Sequence, residues 1–280
     1  MTKYFRILID CKDEKGLVYK INKVFYDLGL NVEKTNEFVD AQNGKFFMRS
    51  EVSGKFEPKV LKKELKNLLP KSANIRLIEP KPKQIVLMAT KESHCLGDIL
   101  IRNEANELEA KILGVISNYD LLRGLVEKFD IPYVYISHEG LSRFEHEAKI
   151  LEALKKFGDI DYIVLAKYMR ILTPEFVKRY EEKIINIHHS FLPAFIGANP
   201  YKQAYDRGVK IIGATAHFVN NNLDEGPIIA QNTIPINHTM DWKQMQRAGR
   251  DVEKIVLSYA LKLALEDKIF VYANKTVIFD

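Results

Sequence analysis

IVLMATKESHCLGDILIRNEANELEAKILGVIS, residues 85–117, decides the architecture of this chain. The run Ile85 to Ala89 reads as a strand, the segment near Gly97 to Asn103 as a helix, and Lys111 to Ser117 as the next strand. Working outward, the same alternation continues: a helix over Tyr119 to Phe129, a strand over Tyr133 to Ile136, a helix over Phe144 to Phe157 and a strand over Tyr162 to Ala166. Strands alternating with helices predict a doubly wound, mostly parallel α/β sheet. Such sheets bind ligands beyond the carboxyl ends of their strands, so the residues that follow each strand are where chemistry is expected.

Upstream the pattern is different. A strand near Tyr4 to Asp10 leads to a helix from about Gly16 to Leu28, with Leu17, Ile21, Val24 and Leu28 at helical spacing and Gly29 closing it. Strands at Val32 to Val39 and Lys45 to Val52 are joined through Gln42, Asn43 and Gly44, a turn composition that forms hairpins. Leu61, Leu65 and Leu68 mark a second helix, stopped by Pro70, and Ile75, Leu77 and Ile78 supply a last strand. This βαββαβ unit ends at the stiff, charged linker Glu79 to Lys83, which predicts two domains, 1–80 and 84–280.

Composition agrees with two soluble domains: 280 residues, 46% apolar, 28% charged, formal net charge +5. The mild basicity suits a small anionic ligand and does not point to nucleic acid. Cys11 and Cys95 are far apart, so neither a disulfide framework nor a thiolate metal cage is expected. No stretch approaches the ~18 apolar residues of a membrane span, and the opening segment lacks an export signal, so a cytoplasmic protein without a membrane partner is expected.

Two stretches of the second domain carry the candidate chemistry. In Ile184 to Pro193, a strand period of two puts Asn186 and His188 on one face and His189 on the other, which argues against a shared metal and against His217 as its third ligand. About thirty residues on, the strand around Gly213 to Val219 leads into the turn Asn220 to Pro227, which contains Asp224. Alone, His188 reads equally well as a structural residue and Asp224 as a local turn former. An amide, an imidazole and a carboxylate on one rim can together polarise a carbonyl, stabilise its oxyanion and manage the proton of a nucleophile.

The run Asn186 to Pro193 with Leu223 to Pro227 resembles the folate-dependent formyltransferase fold, and the whole chain is similar to the formyltetrahydrofolate deformylases, with family-like segments at 93–98, 129–132, 137–141, 166–176, 184–200 and 208–231. The resemblance implies that 10-formyltetrahydrofolate is hydrolysed to tetrahydrofolate and formate without a cofactor. It further implies that Asn186 donates to the formyl oxygen, that His188 supports the oxyanion, and that Asp224 interacts with His188 and positions or deprotonates the nucleophile. Lys167 to Thr173 become part of a folate pocket, with Tyr168, Met169, Arg170, Ile171 and Leu172 as substrate-binding residues. Apolar side chains with exposed backbone groups suit a flat pterin. Arg170 faces either the glutamate tail or solvent. The same likeness makes domain 1–80 an ACT-like (ferredoxin-like) regulatory module, with Asp13, Gly16 and Leu17 as effector-binding candidates for an amino acid and a homo-oligomer as its assembly. Lys15 stands where many such modules carry proline, which weakens the effector expectation.

Transferases of this fold that use a ribonucleotide acceptor resemble one another in a Gly- and Ser-rich phosphate turn after the first strand. Here Thr90 to Gly97 holds a single glycine and bulky neighbours, so water is the expected nucleophile. A dinucleotide site is excluded, since no GxGxxG follows the strand. His94 and Cys95 read as pocket-shaping. A formyltransferase with an amine acceptor and a non-enzymatic amino-acid sensor are the competing readings. The former lacks the phosphate turn and, for a tRNA acceptor, a C-terminal barrel, because a helix near Val252 to Glu266 and a hairpin at Ile269 to Phe279 follow instead. The latter leaves all three catalytic residue types unexplained.

Overall fold

The computed structural model describes residues 3–194 and 200–280, and the chain divides into two compact units, one running to Lys81 with Phe279 and Asp280, the other from Pro82 to Ile278. The linker residue Lys83 belongs to the second unit because it opens a strand and pairs with Asp267 at 2.9 Å.

The first unit comprises β1 (Lys3–Lys12), α1 (Leu17–Asp27), β2 (Asn31–Asp40), β3 (Lys45–Gly54), α2 (Pro58–Leu68) and β4 (Asn74–Ile78). Its sheet has the order β2-β3-β1-β4 and every pairing is antiparallel, consistent with an ACT-like module. The period of two sends Phe5, Ile7, Ile9 and Cys11 of β1 to the face where Phe46 and Met48 of β3 meet Ile21 and Phe25 of α1 and Leu61 and Leu65 of α2. Leu68 closes α2 by sequence but is exposed, and Leu69 takes its place in the core.

The second unit continues with β5 (Lys83–Ala89), α3 (His94–Glu104), β6 (Ala110–Ser117), α4 (Arg123–Val126), β7 (Tyr133–Tyr135), α5 (Arg143–Phe157), β8 (Tyr162–Leu165) and α6 (Pro174–Arg179). It ends with β9 (Ile184–His188), α7 (Pro200–Arg207), β10 (Ile211–Phe218), β11 (Ile228–Pro235), α8 (Trp242–Leu265), β12 (Ile269–Tyr272) and β13 (Lys275–Ile278). The sheet order is β11-β10-β9-β8-β5-β6-β7, parallel from β9 through β7 and antiparallel at β9/β10 and β10/β11. The chain leaves β5 toward β6 on one side and returns through β8 on the other, so the switch point lies between β5 and β8.

Five elements depart from expectation. The helix expected over Tyr119 to Phe129 shrinks to α4 and one 3-10 turn at Glu127–Phe129, because the Tyr119 amide donates to the Ser117 hydroxyl and its carbonyl accepts from the Tyr133 hydroxyl. Helix α8 starts ten residues before Val252, where an Asp241–Gln244 capping box nucleates a polar first half without apolar period. Strand β11 and helices α6 and α7 have no counterpart in the sequence pattern.

Candidate active site

The site grows from β9, whose apolar residues Ile184, Ile185 and Ile187 are buried and leave Asn186 and His188 at its carboxyl end. The turn beyond is pinned by Thr215 of β10: its hydroxyl donates to the Ser190 carbonyl (2.9 Å) and accepts from the Leu192 amide (3.0 Å), and Gln231 holds both Thr215 and the Leu192 carbonyl. His188 is only 5% exposed. Its Nδ1 lies 3.3 Å from Asp224 Oδ2, while its buried Nε2 has no partner among the described residues.

Asp224 reaches His188 by a route the sequence reading did not foresee. It was expected on the rim where β10 ends, beside the end of β9. But β10 runs antiparallel to β9, with Phe218 opposite Ile185, so the end of β10 lies away from His188. The loop after Phe218 instead folds back: the Phe218 amide donates to the Pro227 carbonyl, Gly226 packs against the Phe218 carbonyl, and Asp224 takes a left-handed φ of 58°. A Cβ at Gly226 would lie 1.7 Å from that oxygen, so no larger residue fits this closure. Burial pushes the Asp224 carboxyl up, but the His188 hydrogen bond and the neighbouring imidazoles leave it net below its ordinary value.

His217, which the sequence offers only as a metal ligand, has a different place. The antiparallel register sets it opposite Asn186. Its Nδ1 lies 2.8 Å from the Phe218 carbonyl and can only donate there, so Nε2 accepts from Asn186 Nδ2 at 3.2 Å. Burial, ahead of all else, lowers its pKa, in keeping with a neutral ring. That contact settles which end of the Asn186 amide is the nitrogen and leaves its second N–H for the cavity. The signal for this role was the antiparallel pairing, which sequence alone did not supply.

The expectation that His189 faces away from His188 is corrected. The two ring centroids are 5.3 Å apart and both line one cavity of about 760 Å³, because the strand ends at His188 and the alternation stops with it. Burial, helped by the Lys167 charge, depresses the His189 pKa to about 4, which keeps the ring neutral at pH 7. Asn186, His188, His217 and Asp224 line the same cavity, and so do all of Tyr168, Met169, Arg170, Ile171 and Leu172. Met169 (59% exposed) and Ile171 (49%) supply an apolar wall, and Thr90 anchors the loop through the Met169 amide at 2.9 Å. Residues 195–199 of the motif run 184–200 lie outside the described residues. In the first unit, Gly16 caps α1 in a left-handed conformation, the Asp13 amide donates to the Gly44 carbonyl, and the Leu17 side chain is buried in the core.

Among the described residues one group has metal-ligand spacing, His94, Cys95 and Glu253. It does not fit a cation: Glu253 Oε2 already takes His94 Nε2 at 2.7 Å and Lys167 Nζ at 3.0 Å, and burial pushes the Cys95 thiol up, away from the thiolate.

An Asn, His and Asp gathered at the strand ends of a seven-stranded, mostly parallel sheet place the second unit in the formyl transferase class, whose family model matches residues 83–261. The formyltetrahydrofolate deformylase of Haemophilus influenzae is 57% identical over 97% of this chain and 98% of its own length. The crystal structure of a formyltetrahydrofolate deformylase from Pseudomonas syringae pv. tomato superposes with a TM-score of 0.95 at 40% identity, covering 100% of this chain and 95% of that one. A glycinamide ribonucleotide transformylase from Symbiobacterium toebii matches 71% of this chain and 95% of its own, with a TM-score of 0.68 and 27% identity. The chain belongs to the formyltetrahydrofolate deformylase family.

Proposed function

We infer that the protein hydrolyses 10-formyltetrahydrofolate to tetrahydrofolate and formate. The observation that carries the reading is His188: buried, with Asp224 at one ring nitrogen and the other without a partner among the described residues, in a cavity shared with Asn186 and the Tyr168–Leu172 loop. In this mechanism the folate's apolar ring system lies against Met169 and Ile171, and the formyl group points at His188. The free N–H of Asn186 donates to the formyl oxygen. Asp224, held ionised, takes the proton of a water that adds to the formyl carbon. The oxygen gains the negative charge, which Asn186 and a proton carried on His188 Nε2 stabilise. Collapse breaks the carbon–nitrogen bond, the proton held on Asp224 passes to the leaving nitrogen, and formate and tetrahydrofolate leave.

The residues present need no cofactor for these steps. The first unit is an amino-acid sensor that acts through a homo-oligomer, and the formate feeds purine synthesis and balances one-carbon pools in the cytoplasm. No helix among the described residues is long and apolar enough to cross a membrane. The test is purified protein with 10-formyltetrahydrofolate and no acceptor: tetrahydrofolate and formate should appear in equal amounts. Turnover only after an amine acceptor is added would replace the hydrolase by a transferase.

A further inference from the structure

Glu253, in α8, is 1% exposed and its carboxylate is enclosed by donors from three other parts of the chain. Oε2 meets His94 Nε2 at 2.7 Å, at the start of α3, and Lys167 Nζ at 3.0 Å, just after β8; Oε1 accepts from the Tyr201 hydroxyl of α7 at 2.6 Å. The ring extends outward through Glu92, which lies 3.4 Å from both His94 Nδ1 and Arg250 Nε. The helix makes room for this: a Cβ on Gly249, one turn before Glu253, would sit 2.1 Å from the Tyr201 hydroxyl oxygen. Glu92, Lys167, Tyr201 and Glu253 line the cavity that also holds Asn186, His188 and Asp224.

A buried carboxylate that keeps three donors is an expensive arrangement that a purely structural core would replace with apolar side chains. Burial drives the Glu253 carboxyl up, yet the His94 and Tyr201 hydrogen bonds and the Lys167 charge hold it down at about 2. Phosphate recognition needs unpaired N–H donors and free cations. In this wall Lys167 already meets the Glu253 carboxylate, and an incoming anion would meet Glu253 and Glu92 at low dielectric, where repulsion is strong. The relative from Symbiobacterium toebii is named for a ribonucleotide, which carries such a phosphate.

We propose that Glu253, by engaging His94, Lys167 and Tyr201, is the specificity-determining residue that closes this wall to phosphate-bearing acceptors and leaves water as the nucleophile. The proposal rests on the hydrolase reading above. Water, being neutral and small, is admitted where an anion is not.

The experiment titrates inorganic phosphate and ribose 5-phosphate into wild type, Glu253→Gln, Glu92→Gln and the double variant Glu253→Gln/Lys167→Met, following binding by calorimetry and phosphorus NMR. Wild type should show no saturable binding in the millimolar range. Glu253→Gln keeps the shape but frees Lys167, and should bind phosphate roughly tenfold or more tightly than wild type; adding Lys167→Met should abolish the gain. Equal binding by wild type and a folded Glu253→Gln, or a gain that survives loss of Lys167, overturns the proposal. Should Glu253→Gln fail to fold in a thermal melt, Glu253→Met, of similar length and uncharged, decides by the same comparison with wild type; Glu92→Gln, which leaves the Glu253 carboxylate on Lys167, should bind like wild type, and a gain there equal to that of the Glu253 variant would overturn the proposal. Binding is read without turnover, so an inactive wild type in the acceptor-free assay would defeat the hydrolase reading separately.

Discussion

At the scale of single residues, His188 and Asn186 are each set by one neighbour. Asp224 sits at Nδ1 of His188, and His217 orients the amide of Asn186. The charge on Asp224 is what the mechanism draws upon, so Asp224→Asn should retain folate binding and lose hydrolysis by roughly two or more orders of magnitude, read as kcat against the folate dissociation constant. Near-normal turnover would remove Asp224 from the reaction. The same group sets an acid limit. Its folded pKa is depressed below the ordinary 3.8, so its contribution to stability is complete above that value and is lost as pH falls through the lower, folded one. Asp224→Asn should therefore flatten the acid end of the melting-temperature profile.

At the scale of elements, the decisive contact is the antiparallel pairing of β9 with β10 and the return of the loop that follows. The loop closes on one bare backbone position: Gly226 against the Phe218 carbonyl. Gly226→Ala should leave the sheet intact, since Phe218 and Ile185 pair without it, but should lift the Asp224 loop from His188. The expected result is a fall in kcat of tenfold or more, roughly the loss of one positioned catalytic group, with a nearly unchanged melting temperature. Activity within twofold of wild type would mean that the loop tolerates the shift. This geometry was only half legible in the sequence. Residues Asn186, His188 and Asp224 stood out by type and by position after strands, but the direction of β10 did not, because period two reports which face a side chain takes and nothing about the neighbour strand.

For the whole molecule, the first unit carries a sheet and two helices around its own core, and the residues proposed for catalysis all lie in the second. Removal of residues 1–81 should thus leave a folded domain that binds and hydrolyses folate, while abolishing any amino-acid effect on rate and changing the oligomeric state. An effector must bind one arrangement of the oligomer better than another, and such coupling is worth about 1 to 3 kcal/mol, several-fold in rate without being required for it. Screening glycine, methionine and other free amino acids against both forms, by activity and light scattering, is the test. A truncated protein with the same oligomer and the same response would show that sensing lies elsewhere.

What the sequence by itself determined was most of the succession of elements and the residue types that gather at the candidate site. Periods of two and 3.6 are local properties of the backbone, so Ile85 to Ala89 could only be a strand in that context, and the hairpin at Gly44 and the stop at Pro70 follow from the turn residues themselves. The polar first half of α8 escaped because its period is weak and its helicity comes from a cap. Only the tertiary structure decided that His217 stands opposite Asn186, that His189 shares the cavity with His188, and that Glu253 meets His94, Lys167 and Tyr201. Apart from the adjacent His188 and His189, those contacts join residues 31 to 159 positions apart, and nothing local encodes them. They exist because strand direction and helix packing bring distant segments to one cavity wall, where a buried charge or amide must find its partner or remain unpaired at high cost.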